Sequence, residues 1–371
     1  MKKLNLLIIL VFFCGLIFAQ YPGSESLVHT QTGRVLDKGD FEVYTNMNFF
    51  TVLGQWKEGT SRAGDSPVNW WNVSANIALT FGLFDNFDVT LAPRVYQDLN
   101  FGRVDKESSI PDDIFMTLKA GSFAFANRMF YAAFMINMRL PTGVAHNIYF
   151  SEYASGAFEY GFMSALSYYA DPYLPDRSFS AHINLGWYNH NEAGREIYHQ
   201  YTSNVNSTEL QYGFGILYPM DMFEFMLEVN GINYLQQPDS VVYGRENWMY
   251  IAPSVRYKPF SWLSLDLGID YLLVGADDES SQNIEADLPN YSTWKVNMGL
   301  NFQILPLPTG ADSPTEARRK QFNKRVDFFQ SIIEERERVE DVQEELDRLK
   351  QDREEAEKEL EELKQILEEQ G

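Results

Sequence analysis

Apolar and polar residues alternate along long stretches of this chain, most regularly just before residue 305. Over 294–304 the even-numbered positions are Trp, Val, Met, Leu, Phe and Ile, and the odd-numbered positions are Lys, Asn, Gly, Asn and Gln. Successive side chains of a β-strand point to opposite faces, so the pattern predicts a strand with one apolar and one polar face. The same alternation is clear in 69–83, 129–141 and 178–190.

Twelve segments have the pattern and length of strands. They are 41–53, 69–83, 86–97, 113–124, 129–141, 156–169, 178–190, 207–218, 222–236, 247–258, 262–275 and 292–305. The connections alternate in length, with tight ones at 84–85, 125–128, 219–221 and 259–261. An even number of strands, with short turns at one end and long loops at the other, is typical of outer-membrane barrels. The pattern predicts an all-β, 12-stranded antiparallel transmembrane barrel over 41–305, with a soluble sandwich as the alternative.

Two prolines, Pro93 and Pro253, fall inside predicted strands. Proline has no N–H to donate to a strand ladder and is normally found at an edge or a bulge. We therefore expect a β-bulge in each of these two strands.

The periodicity changes after residue 305. Pro306 and Pro308 end the strand pattern, and apolar residues then recur with heptad spacing, which predicts a linker at 306–315 and a periplasmic α-helical coiled coil at 316–371. The predicted core positions are Phe328, Ile332, Val339, Val342, Leu346, Leu349, Arg353, Ala356, Leu360, Leu363 and Leu367. Three arrangements stay open for this helix: a homo-oligomer, pairing with a separate helical partner, and a free spacer.

The chain begins with the pattern of a secretory signal. A basic start, an apolar run over 4–18 and the small residue Ala19 predict a signal peptide at 1–19, followed by a periplasmic segment at 20–40. The single cysteine, Cys14, lies inside the apolar run, so the mature chain has no thiol chemistry. No later apolar run reaches the ~18–20 residues that a membrane helix needs. The formal net charge of −22 argues against a nucleic-acid partner.

Charged and polar residues fall on the inward face of the predicted barrel. These candidate pore-lining residues are Glu42, Asp88, Arg94, Lys119, Arg139, Glu159, His182, Glu228, Arg256, Asp266, Asp270 and Lys295. Two interpretations apply to such a set: a cross-braced interior in which acids and bases pair, or a selectivity lining for a polar solute. Both can hold in one barrel, and the pattern alone leaves open whether the lumen is open.

Few residue patterns point to catalysis or to metal binding. Ser180 and His182 share one strand face, but a serine hydrolase also needs an orienting acid or amide, and the sequence identifies none. The five histidines lack the spacing of metal ligands. The sequence therefore predicts no enzyme, no catalytic residue, no cofactor and no metal, with a barrel-borne lipase as the rival class.

Two short motifs resemble known families. Asn297-x-Gly299-x-x-Phe302-x-Ile304 resembles the C-terminal signal of bacterial outer-membrane β-barrels. The motif at 139–143, Arg-Leu-Pro-Thr-Gly, and the glycine- and aromatic-rich strand at 156–162 are similar to the outer-membrane transporter family associated with aromatic-compound (phenol meta-pathway) degradation. That resemblance implies a barrel that lets small molecules pass, and it implies no particular substrate. The coiled coil departs from the usual end of this family at the last strand.

These observations predict a porin-like channel in the Gram-negative outer membrane for passive or weakly selective passage of small solutes. Its expected partners are outer-membrane lipid, small solutes, and a second copy or a periplasmic helical partner through the coiled coil. The alternative function is an envelope-structural anchor whose coiled coil binds a periplasmic partner or the cell wall.

Overall fold

The computed structural model describes residues 26–56, 68–100, 106–109, 111–144, 146–148, 150–198, 201–275, 279–280, 285–286, 290–306, 348–350 and 353. The chain divides into two units, Met1–Pro308 and Thr309–Gly371. The predicted signal peptide and most of the predicted coiled-coil core lie outside the described residues. Leu349 and Arg353 are described and helical, and the Leu349 side chain is exposed.

Twelve long strands form one closed antiparallel barrel. They are β1 (Phe41–Trp56), β2 (Val68–Phe84), β3 (Phe87–Asn100), β4 (Ile114–Phe125), β5 (Phe130–Leu140), β6 (Glu159–Tyr169), β7 (Ser180–Asn189), β8 (Thr208–Pro219), β9 (Phe223–Gln236), β10 (Trp248–Phe260), β11 (Leu263–Val274) and β12 (Trp294–Leu305). Each strand pairs with its neighbours in sequence, and β12 pairs with β1 to close the ring. The prediction of a 12-stranded antiparallel barrel is confirmed, and the two-sheet sandwich is excluded.

Shorter elements lie outside the ring of twelve. A strand at Lys106–Ser109 extends the edge of β3, and one at Glu285–Ala286 extends the edge of β1. A small hairpin joins Glu196–Tyr198 to Tyr201–Thr202, and a 3-10 turn covers Pro175–Arg177 between β6 and β7. None of the helical residues that the structure describes belongs to a helix long and apolar enough to cross a membrane.

The alternation in sequence becomes an alternation of exposure in the barrel wall. Along β6 the inward positions Glu159, Met163 and Ser167 are buried, whereas Phe162 and Leu166 point outward and are exposed. Large apolar side chains also cover the outer face of the neighbouring strands, for example Phe134, Ile183, Phe214, Phe225 and Leu267. The outer wall is therefore apolar, and the inner wall carries most of the charge.

The two strand prolines behave differently. The β2–β3 register slips between Ala75, opposite Tyr96, and Asn76, opposite Arg94, which places a bulge two residues after Pro93. Along β10, Ile251 lies opposite Tyr271 and Ser254 opposite Gly268, so no residue is inserted at Pro253. The bulge expected in the strand of Pro93 is confirmed. The strand of Pro253 has register shifts between Met249 and Tyr250 and between Tyr257 and Phe260, so its irregularities do not lie at the proline. The β10–β11 ladder omits the proline and resumes in the same register, which accommodates the missing N–H without a bulge.

Candidate functional site in the barrel interior

The candidate pore-lining residues lie on inward faces of the barrel strands. Those buried inside the barrel are Asp88, Lys119, Arg139, Glu159, His182, Glu228, Asp266 and Asp270, and those partly buried are Glu42, Arg94, Arg256 and Lys295. Their placement fits both interpretations of the sequence, and a role in solute selection stays a prediction. Their contacts are of three kinds: those that hold a segment inside the barrel, ion pairs that brace the wall, and those near the long loops.

At the level of the tight turns, the segment that precedes β1 lies inside the barrel. We call residues 26–36 the plug. The carboxylate of Glu228 on β9 accepts backbone hydrogen bonds from three consecutive plug residues, Val28 at 3.0 Å, His29 at 2.9 Å and Thr30 at 2.6 Å. The His29 ring contacts Asp270 on β11 at 2.9 Å. One end of the plug is thus fixed by two buried carboxylates of the barrel wall.

The middle of the plug is bound by β6 and β7. The Asn184 side chain accepts from the backbone N–H of Gln31 at 2.7 Å and donates to the Gln31 carbonyl at 2.7 Å. The N–H of Gly33 donates to Ser167 Oγ at 2.7 Å. A Cβ at position 33 would lie 2.2 Å from the backbone oxygen of Tyr131, so only glycine fits against the wall here. The plug is therefore in backbone-to-wall contact at its centre.

The far end of the plug reaches β4 and β3. The N–H of Val35 donates to Ser122 Oγ at 3.0 Å, and the N–H of Leu36 donates to Asp88 Oδ2 at 3.2 Å. The Arg34 guanidinium pairs with Asp176 in the turn between β6 and β7. From Ser26 to Leu36 the plug follows the inner wall from β9 towards β3 and occupies this end of the lumen.

The plug was not foreseen in the sequence, where 20–40 was expected in the periplasm. The assignment of a compartment stays a prediction, but residues 26–36 lie inside the barrel. One sequence signal was present: 26–33 contains no Asp, Glu, Lys or Arg in a chain whose net charge is −22. The stretch 200–207 is also uncharged, so this signal alone does not identify a plug.

Ion pairs also brace the wall, and one of them contacts the plug, since Arg256 donates to the Ser26 carbonyl at 3.1 Å. Arg256 binds Asp266 through two nitrogens, at 2.7 and 2.9 Å, and Tyr44 donates to the same carboxylate at 3.1 Å. Arg139 pairs with Asp113 at 2.6 Å. Bidentate arginine–carboxylate contacts fix geometry as well as charge. The cross-braced interpretation of the interior therefore describes a large part of the candidate set.

Asp266 and Asp270 do not act as one acid pair. Asp266 binds Arg256, whereas Asp270 contacts His29 at 2.9 Å and lies 3.9 Å from Lys295. The expectation that their spacing along one strand face rules out shared acid–base chemistry agrees with these separate partners. Each carboxylate compensates a nearby base.

The Ser180–His182 pair belongs to the support of the plug. His182 Nε2 lies 2.9 Å from Ser180 Oγ, and Nδ1 lies 2.7 Å from Ser167 Oγ, the same hydroxyl that accepts from Gly33. All three side chains are buried in the interior. A second serine therefore occupies the position where a hydrolase needs an orienting acid or amide. Among the described residues, no group of three or more His, Cys, Asp or Glu forms a potential metal site.

At the level of the long loops, three loop segments fold across the barrel mouth. We call residues 150–153, 242–244 and 290–292 the roof. Phe150 forms a parallel bridge with Tyr291, and Ser292 donates to the Phe150 carbonyl at 3.2 Å. The Phe150 ring packs on Phe50 of β1, with centroids 5.1 Å apart. These contacts anchor the roof to the barrel wall.

His190, just after β7, supports the roof from one side. Its ring nitrogens lie 3.5 Å from Glu159 and 3.4 Å from Glu209, and its ring lies 4.9 Å from that of Tyr153. Burial disfavours the charged imidazolium, but the two carboxylates outweigh burial and raise the pKa of His190 to about 10. His190 is therefore a cation at neutral pH, between two acids.

A chamber of about 150 Å³ lies between the plug and the roof. Val28 and His29 of the plug line it on one side, and Phe150, Tyr291 and Ser292 of the roof line it on the other. Its wall includes both amides and ionisable groups, among them Asn46, Asn48, Asn72, Asn76, Arg94, Arg139, Glu159, His190, Glu209, Asn230 and Lys295. The interior thus combines a polar chamber with plug residues on one side and roof residues on the other.

Comparison with known proteins adds a set of weak structural likenesses. No family model and no curated protein matches the chain. An outer-membrane channel from Pseudomonas putida F1 aligns with a TM-score of 0.45 at 9% identity, covering 77% of this chain and 100% of its own. The NanC porin aligns with a TM-score of 0.44 at 10% identity, covering 70% and 98%. The P. putida toluene transporter TodX gives 0.35 at 9% identity, covering 72% and 90%. Likenesses at this level assign neither a family nor a solute, and the function is inferred from the barrel's own residues.

Proposed function

We propose that this protein is a channel of the bacterial outer membrane for small solutes, held closed by its own N-terminal plug. The observation that carries the proposal is the chamber itself, a polar space inside a barrel whose outer wall is apolar. An apolar band outside and a polar lumen inside is the arrangement that a lipid bilayer imposes on a transmembrane barrel. A non-catalytic role is part of this proposal.

The plug and the roof make the channel a gated one. In the described residues, the plug lines one side of the chamber and the roof lines the other. Passage requires one or both covers to move. The plug is the better candidate for the moving part, because hydrogen bonds to a few side chains hold it, whereas each wall strand is held by continuous ladders.

The C-terminal region supplies a second element of the proposal. The predicted coiled coil at 316–371 would set the oligomeric state or hold a spacing in the periplasm, with a homo-oligomer preferred over a separate helical partner. The alternative function is an envelope-structural anchor, in which the barrel never opens and the coiled coil binds a periplasmic partner or the cell wall. The occupied lumen favours this alternative over an open pore.

Conductance in planar lipid bilayers separates the two functions. We would compare the mature chain, a truncation ending at Gly310, and a Glu228→Gln variant that weakens the plug. A gated channel should give rare openings in the first two and frequent, uniform ohmic steps in the third. An anchor should stay silent in all three, even with the barrel folded as judged by its resistance to heat in detergent, and that result would refute the channel.

A further inference from the structure

Part of the chamber wall is built from uncharged amides. Asn48 on β1, Asn76 on β2 and Asn230 on β9 all line the chamber. In each, the side-chain oxygen is buried and has no hydrogen-bond partner within the described part of the chain. Buried polar groups in proteins are nearly always satisfied, so unpaired amide oxygens on a cavity wall indicate that something in the cavity supplies the partner.

Most charged groups of the chamber already have partners within the protein; the exposed carboxylate of Glu152 is a lining group for which the described residues give none. Arg139 pairs with Asp113 at 2.6 Å, and Arg94 with Asp112 at 3.4 Å. His190 lies between Glu159 and Glu209, at 3.5 and 3.4 Å. An ionic solute would have to break one of these pairs and leave a buried charge behind. The wall therefore favours a solute without net charge.

The same wall disfavours a hydrocarbon. An apolar molecule in the chamber would displace water from several buried amides without forming hydrogen bonds to them. Each amide left unpaired would weaken binding roughly tenfold. Aromatic faces are nevertheless present, since Phe50, Trp248 and Tyr250 also line the space. The combination suits a molecule that carries hydroxyl groups on its edge and C–H groups on its face.

The size of the chamber limits the solute. A cavity needs about 10–15 Å³ to hold one water molecule. A chamber of about 150 Å³ therefore has room for roughly ten waters, or for a compact solute with about as many non-hydrogen atoms. We propose, resting on the channel function above, that the chamber binds a neutral, hydroxyl-rich solute of monosaccharide size through Asn48, Asn76 and Asn230.

Saturation-transfer NMR on the full mature chain in detergent tests this directly. The probes are myo-inositol, D-glucose and D-xylose, with benzoate as a small aromatic anion for comparison. We expect saturation transfer to at least one of the three polyols. Asn76→Leu and Asn230→Leu should each raise its Kd about three- to tenfold, because each removes one net hydrogen bond. Asn137→Leu is the matched control, since Asn137 is also a buried inward amide but does not line the chamber.

Each outcome separates this inference from the channel function. Transfer to none of the three polyols, equal transfer in the two chamber variants, or tighter binding of benzoate than of every polyol would overturn the solute class. Polyol binding without any conductance would leave the site standing and remove the channel. If Asn76→Leu fails to form a heat-resistant barrel, the test rests on Asn230→Leu, because Asn230 is partly exposed and its replacement should disturb the fold less.

Discussion

Glu228 is the residue whose replacement tests the plug most directly. Its carboxylate is fully buried and accepts three backbone hydrogen bonds from residues 28–30, at 3.0, 2.9 and 2.6 Å. A hydrogen bond to a charged group contributes about 1.5–3 kcal/mol, against about 0.5–1.5 kcal/mol for a neutral one. Glu228→Gln keeps the size and removes the charge from three bonds, so docking of the plug should weaken by about 3 kcal/mol. That corresponds to a rise of roughly a hundredfold in the undocked population.

Hydrogen exchange of the backbone amides at 28–30, followed by mass spectrometry in lipid nanodiscs, measures that population. Protection of these amides should fall roughly a hundredfold in Glu228→Gln, while protection in the barrel strands stays unchanged. Glu209→Gln is the matched control, because Glu209 is a buried interior carboxylate that contacts His190 and not the plug. Equal protection of the plug amides in the wild type and in Glu228→Gln would refute the view that this carboxylate holds the plug.

Three further predictions concern the plug and the roof. The backbone N of Val35 lies 3.0 Å from Ser122 Oγ, so the double variant Val35→Cys, Ser122→Cys should form a disulfide between plug and wall. This bond should suppress bilayer conductance at least tenfold until a reductant is added. Conductance that does not change with reductant would show that the plug does not gate the channel. Gly33→Ala places a Cβ 2.2 Å from a backbone oxygen and should expose the plug amides to exchange as Glu228→Gln does; unchanged protection would contradict the close contact. His190 has a pKa raised to about 10 in the folded protein from 6.5, so its stabilisation is complete below pH 6.5 and is lost as the pH rises through about 10. The apparent Tm should fall over that window in the wild type and stay flatter in His190→Gln; parallel pH profiles would refute this assignment.

The barrel was readable from the sequence because each strand carries its own signal. Alternation with a period of two is a local property, and it located all twelve strands to within a few residues. Pro93 and Pro253 show the limit of such local rules. Both lack the ladder N–H, yet the register shifts beside Pro93, whereas in the strand of Pro253 it shifts between Met249 and Tyr250 and between Tyr257 and Phe260, away from the proline.

The closures of the lumen were not readable in the same way. Alternation identifies which side chains point inward, but it does not say what they meet there. The contacts that define the plug join residues 52 to 241 positions apart, from Leu36 with Asp88 to His29 with Asp270. No periodic pattern encodes such pairings. For the same reason Ser180 and His182 suggested chemistry in the sequence, whereas in the fold they support Gly33 through Ser167.

The position of the plug has a consequence for the order of assembly. The plug precedes β1 in the chain, but its partners Glu228 and Asp270 lie on β9 and β11, close to the other end of the barrel sequence. Closing a loop of about two hundred residues is slow, and no local contact can replace it. Residues 28–30 therefore cannot form their hydrogen bonds to Glu228 and Asp270 until β9 and β11 have taken their places in the barrel. Until then the inner wall is open to water, and the carboxylates of Glu228 and Asp270 lack their partners in the plug.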